Sequence, residues 1–109
     1  MGKFTIFRGS NLSYYFNFKA SNGEKVLQSE AYLTKQACLG GISSVKTNAP
    51  YDSQYERKRS INNQYYFVLK ALNNEIIGKS ETYTSSQGME NGIRVVKTEA
   101  PIAPTEDLA

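Results

Sequence analysis

The sequence contains no histidine, a single cysteine and only two aspartates among its 109 residues. Without histidine, the commonest general base, proton shuttle and metal ligand is missing at once. One cysteine, Cys38, excludes an internal disulfide framework and fits a reducing compartment. It also leaves too few ligands to build a zinc site. Asp52 and Asp107 stand far apart, so no acidic cluster of the kind that holds calcium or magnesium is present. No P-loop and no dinucleotide-binding glycine pattern occurs, because Gly40-Gly41 falls inside a helical stretch rather than a strand-to-helix turn. No run approaches the roughly 18 apolar residues that a membrane span requires. The start, Met1 to Arg8, has only three apolar residues before a charge, so no signal peptide is expected. The expected location is the cytoplasm, with no membrane partner and no cofactor.

What is present is a globular composition, 39% hydrophobic and 21% charged, with a net charge of +3 and a pI near 9.0. That excess of cations is mild and only slightly favours an anionic partner. The stretch from Tyr14 to Pro50 then returns from Tyr65 to Pro101 at an offset of 51 residues without a gap, with 18 of 37 paired positions identical. This is a duplicated unit. A copy of about 50 residues buries too little surface to be comfortably stable alone, so residues 1–109 are read as one domain. Its two repeats, about 4–50 and 55–101, share one core, and Pro50 to Gln54 is a short turn rather than a linker.

Within each copy the periodicity changes once. Phe4-Thr5-Ile6-Phe7 alternates and ends at the turn Arg8-Gly9-Ser10-Asn11. Tyr14, Phe16, Phe18 and Ala20 fall on one face of the next strand, with Tyr15, Asn17 and Lys19 on the other. The second copy sets Tyr65, Phe67, Leu69 and Ala71 against Tyr66, Val68 and Lys70. Asn22-Gly23 suits a two-residue type I′ hairpin, with Asn73-Asn74 as its less favourable twin. That register places Phe18 opposite Leu27, Lys19 opposite Val26, and Tyr15 near Glu30. A helix follows, capped by Thr34, with Ala37, Cys38, Gly41, Ile42 and Val45 on its inner stripe. In the second copy Thr84 and Gln87 have capping-box spacing, and Gly88, Met89, Gly92, Ile93 and Val96 form the stripe. Cys38 matches Met89, which marks an apolar slot. Gly41 and Gly92 imply close approach of helix to sheet. Tyr55 to Arg59 sits 51 residues after Phe4 to Arg8 and should be a strand. The acidic tail 102–109 is expected to be disordered, although Ile102 could pair on an edge.

Tyr15-Phe16-x-Phe18-Lys19-Ala20-x-Asn22-Gly23-Glu24, Ser29-Glu30-x-Tyr32 and Gly41-Ile42-x-Ser44-Val45-Lys46-x-Asn48, with their second version, resemble the YegP-like family of small bacterial proteins. The resemblance runs from about Phe4 to Ala100. It implies an α+β fold of two tandem β-β-β-α-β repeats forming one pseudo-two-fold sheet, with one helix per repeat and the last strand of each exchanged to the other. Tyr55 to Arg59 would then be an exchanged strand. The repeat is a domain of unknown function, so no functional residue is carried over.

The remaining chemistry points away from catalysis. Glu30 and Glu81 are a twinned carboxylate pair, but a glutamate beside a tyrosine on an open sheet is ordinarily a solvated partner. Ser29 and Ser80 have no base to activate them. Lys46 and Lys97, near helix ends, complement the helix dipole. The reading is a non-enzymatic protein-interaction or structural module, whose partner is another protein or another copy of itself. Its candidate face carries Tyr15, Lys19, Tyr66, Lys70 and Lys79. The alternative is weak single-stranded nucleic-acid binding on the same face, with bases stacking on the tyrosines, lysines meeting phosphates, and Arg57 to Arg59 extending the patch.

Overall fold

The alternating stretches become strands and the 3.6-periodic stretches become helices. The computed structural model describes residues 2–109. In chain order it runs β1 (Lys3–Arg8), β2 (Tyr14–Lys19), β3 (Lys25–Gln28), α1 (Lys35–Asn48), β4 (Tyr55–Arg59), β5 (Tyr65–Lys70), β6 (Ile76–Ser80), α2 (Ser86–Glu99) and β7 (Thr105–Asp107). The strands form one sheet in the order β4-β5-β6-β3-β2-β1-β7. Every pairing is antiparallel except that of β7 with β1, which is parallel. The two copies meet at β3 and β6, where Gln28 lies opposite its own equivalent, Lys79. The pseudo-two-fold axis therefore passes through that pair. β4, which follows α1 and stands 51 residues after β1, pairs with β5 as β1 does with β2, and β7, which follows α2, crosses back to pair with β1 of the first copy.

Both helices lie on one face of the sheet. Phe4, Ile6, Phe16, Phe18, Leu27, Phe67 and Leu69 point inward with no measurable exposure, against Cys38, Ile42 and Val45 of α1 and Met89, Ile93 and Val96 of α2. Each large side chain removed from water in this way contributes about 1.5–3 kcal/mol. Cys38 and Met89 fill the same slot, as their equivalence implies. The glycines at the middle of the helices are explained by tyrosines. A Cβ on Gly41 would strike the Tyr32 hydroxyl and lie 2.8 Å from Cζ of that ring, and Gly92 stands in the same relation to Tyr83. Tyr32 and Tyr83 are held there by bridges to Tyr14 and Tyr65 and by stacking on Phe16 and Phe67.

Four details depart from the sequence reading. The hairpin turn has three residues rather than two: Gly23 N donates to Ala20 O and Ala20 N to Glu24 O, both at 2.9 Å. Only its third residue, Gly23 or Asn74, has positive φ, at 85° and 72°. This is a type I turn followed by a left-handed residue, and it forces a bulge. Phe18 still faces Leu27, but Lys19 faces Lys25 rather than Val26. The second helix is capped by Ser85, which accepts from Gly88 N at 3.0 Å, and not by Thr84. Ser85 is the equivalent of Thr34, which accepts from Ala37 N as expected. The tail expected to be disordered instead supplies β7 at Thr105–Asp107. Phe4 N donates to Pro104 O and Leu108 N to Ile6 O, each at 2.9 Å, so the free edge of β1 orders it.

Candidate binding face

With both helices on one side, the other face of the sheet is left open. Alternation directs to it Lys3, Thr5 and Phe7 of β1, Tyr15, Asn17 and Lys19 of β2, Gln28 of β3, Lys79 of β6, Tyr66, Val68 and Lys70 of β5, and Glu56 and Lys58 of β4. One ladder row crosses the whole sheet as Glu106, Thr5, Asn17, Gln28, Lys79, Val68 and Glu56. The five residues singled out from the sequence share this face but not one track. Tyr15 lies on β2 and Tyr66 on β5, three strand spacings or about 14 Å apart across the sheet, on opposite sides of the pseudo-axis. The two rings thus stand apart and make no continuous stacking surface.

Their surroundings differ as well. Tyr15 stacks on Phe7 at 5.6 Å with an interplanar angle of 15°, and its hydroxyl accepts from Asn11 Nδ2 at 3.3 Å. Around Tyr66 the equivalent of Phe7 is Lys58, and Lys79 Nζ lies 5.1 Å from the ring centroid. Such a cation contributes about 0.5–1 kcal/mol at an exposed site. Lys70 is paired with Glu56 at 2.6 Å, and Glu56 also meets Lys58 at 3.4 Å. The Lys70 bond, followed by that of Lys58, holds the Glu56 carboxyl below its ordinary range. Lys25 is 3.6 Å from Glu81 and Lys3 is 2.9 Å from Glu106. Among the described residues Lys19 has no carboxylate within ion-pair distance, and it lies between Lys3 and Lys25. The cations of the face are therefore largely matched by carboxylates on the same face.

At the pseudo-axis, Gln28, Ser29, Glu30, Lys79, Ser80 and Glu81 line a depression of about 320 Å³. The twinned glutamates are thus brought together, but both are exposed to solvent. The serines beside them are occupied structurally. Ser29 Oγ accepts from Phe16 N at 2.9 Å and donates to Glu30 O at 2.8 Å, and Ser80 does the same with Phe67 N and Glu81 O. Cys38 is fully buried, and desolvation pushes its thiol up to about 11, far from a reactive thiolate. Among the described residues no group of histidine, cysteine, aspartate and glutamate is placed to hold a metal ion, and no helix is long and apolar enough to cross a membrane. Two buried polar atoms of the open face, Thr5 Oγ1 and Asn17 Oδ1, have no hydrogen-bond partner among the described residues.

Of the run Arg57 to Arg59 expected to extend this face, only Lys58 does so, opposite Tyr66; alternation turns Arg57 and Arg59 to the helix side, where Arg57 meets Glu90 and Arg59 lies over Tyr65. The sequence reading missed Glu56, Phe7, Lys3 and Lys25 as members of the face. The 51-residue offset could have placed Lys58 under Tyr66, as Phe7 lies beside Tyr15. The pairing of Lys25 with Glu81 depends on the β3–β6 seam, for which no local pattern exists.

A family model described as a domain of unknown function, DUF1508, matches residues 10–56 and again residues 60–107. The UPF0339 protein YegP of Yersinia pestis is 44% identical over 108 residues, spanning 99% of this chain and 96% of that protein. YegP of Escherichia coli K12 is 40% identical over 106 residues, spanning 97% and 96%. The solution NMR structure of the UPF0339 protein SO3888 from Shewanella oneidensis has a TM-score of 0.93 at 38% identity, covering 98% of this chain and 91% of that one. None of these names carries an activity.

Proposed function

The chain belongs to the DUF1508 family, a domain of unknown function, and from that premise we propose that it is a non-enzymatic module whose open sheet face docks another protein. Tyr15, Lys19, Tyr66, Lys70 and Lys79 are the contact residues of this reading. The observation that carries it is the mosaic of charge around two separated aromatic anchors: Glu56, Glu81 and Glu106 neutralise Lys58, Lys70, Lys25 and Lys3 on the face itself. A polyanion gains by releasing counterions from unmatched cations, and here most are matched. Aromatic rings amid mixed charge are the ordinary makings of a protein interface.

A photo-crosslinking residue in place of Tyr66, in cells that express the chain, should yield a discrete protein adduct. That adduct should survive nuclease and disappear when Lys79→Glu is added. An adduct destroyed by nuclease, or the absence of any, would overturn the reading.

The second reading is single-stranded nucleic acid. It is favoured by the run Lys3, Lys19, Lys25 across three adjacent strands beside the Phe7–Tyr15 stack. An amide NMR titration with a mixed-sequence oligonucleotide tests it, because phosphate contacts fade steeply as salt rises. It expects shifts at Tyr15 and Lys19 that weaken with salt and are lost in Lys19→Ala. A silent spectrum removes it.

A further inference from the structure

The first strands of the two copies are equivalent, yet they end the sheet differently. β1 pairs with β2 and β4 with β5 in the same register, Arg8 opposite Tyr14 and Arg59 opposite Tyr65. The outer edge of β1 is filled by β7, whereas the outer edge of β4 ends the sheet. Ile6, whose carbonyl accepts from Leu108 N, corresponds to Arg57. Arg57 lies opposite Phe67, and Phe67 N donates to Ser80 Oγ on the far side. The Arg57–Phe67 pair is therefore a non-hydrogen-bonded one, so the amide and carbonyl of Arg57 point outward, and two residues on so do those of Arg59. Tyr55 N is already committed to Asp52 O. The unpaired stretch is Arg57 to Arg59.

The side chains of that stretch are all cationic. Arg57 is held by Glu90 at 2.6 Å and Asp52 at 2.9 Å, and Lys58 lies near Glu56. The Arg59 guanidinium hydrogen-bonds to Asn63 and lies over the Tyr65 ring, with no carboxylate partner among the described residues. Charges on an edge deter pairing with an identical edge. The same charges attract an acidic strand, and the one strand that this fold adds to an equivalent edge is acidic. Glu106 and Asp107 of β7 meet Lys3 and Lys35 at 2.9 and 2.8 Å.

We propose that the outer edge of β4 accepts an extended acidic segment of a partner protein, added parallel as an eighth strand in the way that β1 accepts β7. The recognition is not a copy of that at β1. Lys3 and Lys35 correspond to Gln54 and Ser86, and with Tyr55 N committed the segment sits two residues further along the edge than β7 does, which sets its acidic pair opposite Lys58 and Arg59 rather than Glu56 and Arg57.

The probe is the peptide of residues 103–109, Ala-Pro-Thr-Glu-Asp-Leu-Ala, titrated into the labelled full chain. Saturable shifts at the Arg57 and Arg59 amides are expected, with slowed hydrogen exchange there. The affinity should fall at least about tenfold when the peptide's Glu and Asp become Lys, and again in Arg59→Glu. No saturable shift, shifts confined to β1 as the peptide displaces β7, or shifts indifferent to charge reversal would each overturn the proposal. Shifts at Tyr66 and Lys79 alone would assign binding to the open face and not to this edge.

Discussion

At the scale of single residues, the turns carry an avoidable strain. All four hairpin turns end in a left-handed residue, at Leu12, Gly23, Asn63 and Asn74, with φ of 66°, 85°, 69° and 72°. Glycine and asparagine tolerate that conformation, but leucine places its Cβ against the following carbonyl at about 1–2 kcal/mol. Leu12 is also 69% exposed, so its side chain recovers little by packing. Leu12→Asn should therefore stabilise the protein by about 1 kcal/mol, read as a raised urea midpoint with an unchanged slope. Unchanged or lower stability would mean that the exposed leucine contributes more than its backbone costs. The strain was not legible beforehand. Asn22-Gly23 announced its turn by composition, although it suggested the wrong turn length, whereas Asn11-Leu12 contains no residue that favours positive φ at the position that needs it.

At the scale of elements, a polar staple ties β4 and the turn before it to α2. Asp52, in the turn before β4, accepts from Arg57 Nη2 at 2.9 Å and from Lys97 Nζ of α2 at 2.7 Å. Arg57 in turn holds Glu90 of α2 through two bonds. The Arg57 bond first, and then that of Lys97, lowers the Asp52 carboxyl to about 2 from its ordinary 3.8. A group whose folded pKa is depressed contributes stability above its unfolded pKa and loses it as pH falls through the folded one. The staple should therefore act fully above about pH 4 and disappear by about pH 2. Asp52→Asn should lower the urea midpoint near neutral pH, and the difference from the parent should close across that window. A difference independent of pH would place its origin in packing rather than charge. Sequence periodicity and the 51-residue offset placed both helices and six strands but not this staple, because Asp52, Arg57, Glu90 and Lys97 meet only once α2 lies on β4 and β5. It also missed β7, since Thr-Glu-Asp has no strand signature of its own and is ordered by the edge it finds.

At the scale of the whole molecule, the duplication is visible in what repeats, but the joint between the copies depends on what does not. The pseudo-axis brings Leu27 and Gly78, which are equivalent positions, onto adjacent strands. A Cβ on Gly78 would lie 2.6 Å from two atoms of the Leu27 side chain, so Leu27 occupies the volume that a second side chain would need. In the sequence this difference looks like mere divergence between copies, as does the Glu56 that neutralises Lys70 where Lys19 has no such partner. In both cases the partner comes from the fold and not from the repeat. Gly78→Leu should cost about 1–3 kcal/mol or more through overpacking. Leu27→Gly should cost at least the roughly 2–5 kcal/mol typical of emptying a buried leucine site. Because the two sites are related by the pseudo-axis, the exchange Leu27→Gly with Gly78→Leu restores one large and one absent side chain at the seam. The double variant should therefore be more stable than either single one, with a coupling of at least about 2 kcal/mol in chemical denaturation. Costs that simply add would mean that the two positions are filled independently and that the seam is not held by this complementarity.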